Sequence, residues 1–391
     1  MDRFWRPAWV EIDTDAIGNN VREIRRHIGE KVQFIVVVKG DGYGHGAVEV
    51  GRVALANGAD RLAVAMVDEA LELRDHGITA PILVLGYTAP CQLAAAVDHD
   101  LTLALYTRQI AKELAAVAQE KGKVVKVHMK VNTGLNRIGV QPEDAVEFAR
   151  FVKGLAGIEL EGIFTHFAKA AQKDKTDTER QLRVFNQVLE ELAAAGIDIP
   201  LRHAANSAAT YDLPSTHFNA VRTGRIFYGY YPYPEAEKNL TLKPALQLKT
   251  IAVHAIPVAA GDGVGYDAFY RPAQDTRIIT LPLGSSDGLS KRLAGKCPVL
   301  LKGQRKTIVA TCADMCMVDA GDLEVKVGEE VVIFGKQGEA SVSPEEVNPL
   351  LGVTLGEVLC CLSRRLPRVY TRNGKPYLVR TQSGRFIEVK E

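Results

Sequence analysis

The sequence predicts an α/β fold: an N-terminal (β/α)8 barrel of the TIM type followed by a C-terminal mostly-β domain. Three observations predict it. Eight short β-type runs precede residue 240, each joined to the next by longer helical sequence; several of these runs are apolar throughout; and the texture changes after residue 240. Strands that alternate with helices are parallel, and a parallel strand covered on both faces reads as a continuous apolar run. An open doubly wound sheet would give the same alternation and stays as the other arrangement. At 391 residues the chain suits two domains better than one.

Taken in order, the N-terminal segment 7–12, within PAWVEID, reads as a strand grouped with the second domain, and Asp13 or Thr14 is placed to cap a first helix running to residue 28. The barrel strands are expected at QFIVVVK (33–39), ADRLAVAM (59–66), PILVLG (81–86), LTLALY (101–106), VVKVHMKV (124–131), LEGIFTHF (160–167), LRHAANS (201–207) and FNAVRTGR (218–225). Between them, Ile110, Leu114 and Val117 repeat at helical spacing, as do Leu182, Phe185, Leu189 and Leu192. The barrel domain is bounded at 12–238. Beyond it, in 239–391, helical periodicity fades and short strands alternate with glycine turns, as in VKVGEEVVIFG (325–335).

Net charge is +1, from 48 basic and 47 acidic side chains, which excludes a field able to gather nucleic acid or an acidic membrane surface. The start, MDRFWRPAWVEID, lacks the apolar core of a signal peptide, and no apolar run is long enough to span a bilayer, so the expected compartment is the cytoplasm. Six cysteines without CxxC spacing indicate neither a disulfide framework nor a metal site.

Functional groups of such a barrel stand at the C-terminal ends of its strands. That position selects Lys39, Lys130 with Arg137 just beyond it, His166, His203 with Ser207, and Arg222. Lys39 leaves an apolar strand into GDGYGHG. Desolvation there would lower its pKa as Schiff-base chemistry requires, and the glycines let backbone approach a ligand; a lysine snorkelling to the surface fits the same position. Alone, Arg222 reads equally as a salt bridge in the barrel mouth, His166 as a satisfied structural histidine, and Tyr43 as a packed loop tyrosine.

The motifs then become specific. VVVKGDGYGHG (36–46), KVNTGLNRIGV (130–140), GIFTHFAKA (162–170), HAANSAA (203–209) and VRTGRIFYG (221–229) resemble the signatures of the alanine racemase family. GVGYDAFYRP (263–272), LPLGSSDGL (281–289), CADMCMVD (312–319) and RRLPRVY (364–370) continue the resemblance in family order over nearly the whole chain. It implies a pyridoxal 5'-phosphate-dependent amino-acid racemase of fold type III, a head-to-tail homodimer with shared active sites, and no metal. In most members the product is D-alanine for peptidoglycan.

Carried over residue by residue, the resemblance makes Lys39 the lysine that holds the cofactor covalently. Tyr43, Asn206, Ser207 and the backbone at Gly224 and Arg225 match cofactor-binding positions, and Arg222 matches the arginine that faces the pyridine nitrogen and keeps it unprotonated. Arg137 matches the arginine near the substrate carboxylate, and Lys130 the lysine that buttresses it and is carbamylated in some members. Ala313 and Asp314 match the segment that helps hold that carboxylate, and His203 a supporting position. Tyr266 matches the second catalytic base, supplied by the partner subunit and oriented by His166. Racemisation needs a proton removed on one face of the α-carbon and delivered on the other, with Lys39 serving the D face and Tyr266 the L face.

Departures cluster at the implied substrate entrance. Ser285 and Gly356 stand where the family has tyrosines, and Ala171 where it has aspartate; Asn132 replaces an aspartate and Ala313 a methionine. Each entrance change removes bulk or a polar group. A broader or non-alanine racemase is therefore the alternative, ahead of a non-catalytic protein that buffers pyridoxal phosphate.

Overall fold

The chain opens with β1 (Ala8–Asp13) and α1 (Thr14–Ile28). Eight parallel strands then close into a barrel among the described residues. They are β2 (Gln33–Val37), β3 (Arg61–Val64), β4 (Ile82–Val84), β5 (Thr102–Leu105), β6 (Val125–Lys130), β7 (Ile158–Phe164), β8 (Leu201–His203) and β9 (Ala220–Thr223). Closure comes from β9 pairing back onto β2, with Ile35 opposite Arg222, which excludes the open sheet. A computed structural model provides this description, covering residues 5–389. Those residues form two units: Ala16–Gly42 with Ala47–Pro244, and the rest, which takes in Tyr43–Gly46 and everything from Ala245 onward.

The apolar runs became barrel strands because both of their faces are covered: Phe34, Ile35 and Val36 have no exposed surface. The helices bury the expected stripes with one rotation. In Thr176–Ala194 the buried face runs through Gln181, Phe185, Val188 and Leu192, leaving Leu182 and Leu189 half-buried. Gln181 belongs inside because its polar atoms are satisfied: its amide nitrogen donates to Thr133 Oγ1 and the His166 carbonyl, each at 3.2 Å, and its oxygen accepts from the Ala168 N–H at 2.8 Å.

In the second unit β1 lies between β10 (Leu246–Ile251), antiparallel, and the strand Arg368–Arg372, parallel, within a sheet of twelve strands among the described residues. Along β10 and Cys316–Gly321 buried and half-buried residues alternate strictly, the pattern of strands with one face on a core. The Thr14 hydroxyl donates to the Thr371 carbonyl at 2.7 Å. The glycines of Tyr43–Gly46 are required by close approach. A Cβ at Gly44 would run into the Leu359 carbonyl and one at Gly46 into the Tyr370 hydroxyl, and both residues have positive φ.

Candidate active site

Lys39 follows the last apolar residue of its strand and heads a left-handed turn. Gly40, Asp41 and Gly42 have φ of 61°, 54° and 63°, and Tyr43 and Gly44 continue at 49° and 79°. Left-handed backbone at Asp41 and Tyr43 costs on the order of 1–2 kcal/mol each, strain of a kind that concentrates at functional sites. The turn is held by the Gly42 N–H donating to the Val38 carbonyl at 2.8 Å and by Glu69. One oxygen of Glu69 accepts the Gly40 N–H at 2.6 Å and the other the Ala65 N–H at 2.7 Å. Lys39 is left half-buried at the rim of the barrel.

Around that rim the strand ends bring four more predicted groups together. Arg222 on β9 is 4% exposed and donates from Nη1 to His203 Nδ1 at 2.7 Å and the His203 carbonyl at 3.0 Å. Its Nη2 donates to the Thr165 and Ala204 carbonyls at 2.7 and 3.2 Å, with His166 Nδ1 at 3.4 Å. Burial pulls the guanidinium down to about 9, which leaves it cationic at neutral pH. Lys130 at the end of β6 is buried, and its amine is pushed well below the usual lysine range by desolvation and then by the nearby charges of Arg222 and Arg137. The ring of Phe164 receives both cations, with Lys130 Nζ 5.0 Å and the Arg222 guanidinium 5.2 Å from its centroid. His166 is pushed well below its ordinary value by desolvation, then by Arg222, Lys130, Arg137 and Lys39, so its imidazole is neutral.

Ser207 and Gly224 meet: the Gly224 N–H donates to Ser207 Oγ at 2.9 Å. Ser207 is not the end of a strand, because β8 stops at His203 and a helix begins at Ser207, capped by the Asn206 side chain, which accepts the Ala209 N–H at 3.2 Å. Asn206 also donates to the Phe167 carbonyl at 3.4 Å. Arg225 is half-buried beside Gly224. Arg137 is exposed on a loop organised by Asn132, whose oxygen accepts the Gly134 and Asn136 N–H groups at 3.3 and 3.0 Å, so asparagine satisfies this loop without a carboxylate.

The remaining predicted residues lie in the second unit. Tyr266 is 76% exposed on a turn whose neighbours Gly265, Asp267 and Ala268 have φ of 78°, 56° and 49°, and Phe269 beside it is also exposed. Asp314 is exposed and accepts from Arg365 Nη2 at 2.9 Å. The Ala313 carbonyl accepts the Ser286 N–H at 2.9 Å and the Cys312 carbonyl the Ser285 N–H at 3.0 Å, which places Ser285 directly behind the 313–314 segment. Gly284 permits this, since a Cβ there would lie within 2.6 Å of the Asp314 nitrogen. Gly356 faces Tyr43: a Cβ at 356 would sit 3.7 Å from Tyr43 Cε1.

The sequence did not single out Gln181 and Thr133, which brace the His166 backbone, or His128 and Glu161, which stand inside the barrel behind His203. The available signal was Gly162, a glycine in mid-strand, which marks close approach of another group. A Cβ there would lie 2.6 Å from His128 Cγ.

Residues 12–232 match the family model described as alanine racemase, N-terminal domain, and residues 245–370 the one described as alanine racemase, C-terminal domain. The chain is similar to an alanine racemase of Methanococcus maripaludis, 44% identical over 93% of this chain and 98% of the relative. Its structure resembles alanine racemase of Clostridium difficile 630, with a TM-score of 0.93, 37% identity, and 97% and 100% of the two chains covered. A histidine racemase from Leuconostoc mesenteroides subsp. sake shares the fold at a TM-score of 0.87 and 29% identity, over 95% of this chain and 100% of that one. A closed parallel barrel with basic groups at its strand ends, joined to a β-rich unit, is here the scaffold of an amino-acid racemase. The chain belongs to the alanine racemase family.

Proposed function

We propose that this racemase interconverts L- and D-alanine by a two-base mechanism, with pyridoxal 5'-phosphate held at the barrel mouth. The observation that carries the reading is the donor set at the strand ends: a half-buried Lys39 amine, a buried Arg222 guanidinium fixed by carbonyl oxygens, and the Ser207 hydroxyl beside the Gly224 amide. That set fits the cofactor. An amine takes an aldehyde; a hydroxyl with the N–H groups of Gly224 and Arg225, joined by Tyr43 and Asn206, suits a phosphate dianion; and a fixed cation suits an unprotonated ring nitrogen. When bound, the cofactor supplies an electron-withdrawing ring that acidifies the substrate's α-C–H bond.

The chain's own residues do the rest. Arg137 and the Ala313–Asp314 segment hold the substrate carboxylate, and Lys130, whose buried amine is pushed well below the usual lysine range, is the proposed site of a carbamate that would brace Arg137. Lys39 Nζ takes and returns the proton on one face of the α-carbon. Tyr266 of the partner subunit in a head-to-tail homodimer does so on the other, oriented by neutral His166 with Arg222 behind it. The barrel domain (12–238) and the β-rich domain (239–391 with strand 7–12) divide this work, the second completing the partner's site. The reaction is placed in the cytoplasm, supplying D-alanine for peptidoglycan.

A second reading is favoured by Ser285, Gly356 and Ala171: residues smaller than the family's at the proposed entrance would suit a larger side chain than alanine's. A non-catalytic cofactor-binding role would leave the second unit and Tyr266 without purpose. The test is borohydride reduction of the yellow purified protein, followed by deuterium exchange at the α-carbon across a panel of L- and D-amino acids. Cofactor trapped on Lys39 and exchange with inversion, fastest for alanine, is the expected result. Fastest exchange with another amino acid selects the second reading, and trapped cofactor without exchange rejects racemisation.

A further inference from the structure

Arg222 is one end of a hydrogen-bonded line that crosses the barrel interior. Beyond the 2.7 Å bond from its Nη1 to His203 Nδ1, His203 Nε2 faces His128 Nδ1 at 2.8 Å, and His128 Nε2 faces Glu161 Oε2 at 3.0 Å. Glu161 then receives Arg61 Nη1 and Nη2 at 2.7 and 3.0 Å and Lys126 Nζ at 2.9 Å. Both histidines have no exposed surface, and Arg222 and Glu161 are buried. The packing is shaped around the line. Gly162 leaves the space that the His128 ring fills, the β6–β7 register shifts between Val127 and His128, and Phe164 stacks on His203 with centroids 4.9 Å apart and planes within 3°.

The proton directions follow from chemistry. A guanidinium only donates, so His203 Nδ1 accepts and its ring proton sits on Nε2. That proton points at His128 Nδ1, which accepts, so the His128 proton sits on Nε2 and is received by Glu161. Every bond has one donor and one acceptor only when both rings are neutral Nε2–H tautomers. Burial disfavours charging either ring, with Arg222 adding to this at both; the Glu161 hydrogen bond opposes it at His128 without reversing it. Burial also opposes ionisation of Glu161, but the bonds from His128, Arg61 and Lys126 outweigh it and hold the carboxyl far below its usual range.

We propose that Glu161 and His128 are positioning residues for Arg222: the carboxylate deep in the barrel fixes the tautomer of His128, which fixes that of His203, so that His203 Nδ1 presents a lone pair that holds the guanidinium in place. The inference rests on Arg222 facing the cofactor ring, as proposed above. A carboxylate placed directly on Arg222 would draw its N–H groups away from the mouth and favour a protonated ring nitrogen. A neutral imidazole acceptor, held in one tautomer from the far end of the line, keeps Arg222 aimed without that pull. The titratable and charged groups facing the line are Arg61, Lys126 and Glu161 at one end and Lys130, His166 and Arg222 at the other.

Histidine-selective 15N NMR of the cofactor-loaded enzyme reads the tautomers directly. Protons on Nε2 of both His128 and His203, unchanged between about pH 6 and 9, are expected; a proton on Nδ1 of either ring, or a doubly protonated ring, overturns the proposal. His128→Phe keeps a ring in the Gly162 space, and Glu161→Gln keeps an acceptor. Both should shift the pH midpoint of the bound cofactor's visible absorption by at least about half a unit and lower kcat about tenfold with KM within about twofold, with partial recovery in Glu161→Asp. Folded, loaded variants with an unchanged midpoint and unchanged kcat also overturn it. Where a variant does not fold, the wild-type tautomers alone decide. A wild-type protein that binds no cofactor rejects the proposed function instead, and the tautomers still test the line in that protein.

Discussion

The two ends of the barrel bury charge in opposite ways. At the N-terminal end Glu161 is paired with Arg61 and Lys126 and capped by His128, so the buried carboxylate has cations of its own. At the C-terminal end the buried Arg222 and Lys130 and the nearby Arg137 all bear on a neutral His166, and the described partners of Arg222 are carbonyl oxygens and imidazole nitrogens, with no carboxylate among them. Gathering like charges in a buried site costs stability, and folds retain such an arrangement where anionic ligands or tuned pKa values are needed. One end is built to be stable and the other to be incomplete until something negative arrives.

Substitutions at the two ends should separate those roles. Lys39→Ala at the incomplete end should lower turnover by at least about 10³-fold and prevent borohydride trapping, with the unfolding temperature of the cofactor-free protein unchanged; wild-type turnover would erase the contrast. Glu161→Gln at the N-terminal end should instead cost about 3 kcal/mol in denaturant unfolding, because it leaves the half-buried Arg61 beside a neutral partner. Gly162→Ala, whose new methyl meets the His128 ring, should cost about 2 kcal/mol in the same measurement. The smallest effect is the pH response. His128 and His203 have lowered values in the fold, so the unfolded chain takes up protons below about pH 6.5 that the folded barrel refuses. Stability is therefore full above that pH and falls as pH drops below it. Glu161, also lowered, acts in the same direction at more acid pH. A stability maximum at pH 5 would contradict the neutral rings.

The sequence made the barrel legible because doubly covered strands must be apolar, and it made Lys39, Lys130, His166 and Arg222 legible because they are polar groups at the ends of such runs. It overextended the strand at LRHAANS, where the capping chemistry of Asn206 starts a helix at Ser207. It placed the Leu182 stripe one position off, since burial of Gln181 depends on hydrogen bonds to residues 133, 166 and 168 that no local pattern reveals. His128 and Glu161 were hidden for the same reason. A histidine and a glutamate inside β-type runs read as ordinary alternation until the barrel closes and brings β3, β6, β7 and β8 around one point. Tyr43–Gly46 clusters with the second unit although its neighbours on both sides belong to the barrel, a grouping set by close glycine packing against Leu359 and Tyr370.

The most direct test of the two-base account is Tyr266→Phe, assayed for α-proton exchange from each enantiomer of alanine alongside cofactor affinity. The account predicts that exchange from L-alanine falls by about 10²–10⁴-fold while cofactor affinity stays within about twofold. Equal loss of exchange and of cofactor binding would make Tyr266 a structural residue, and full exchange from L-alanine would remove it from the chemistry altogether.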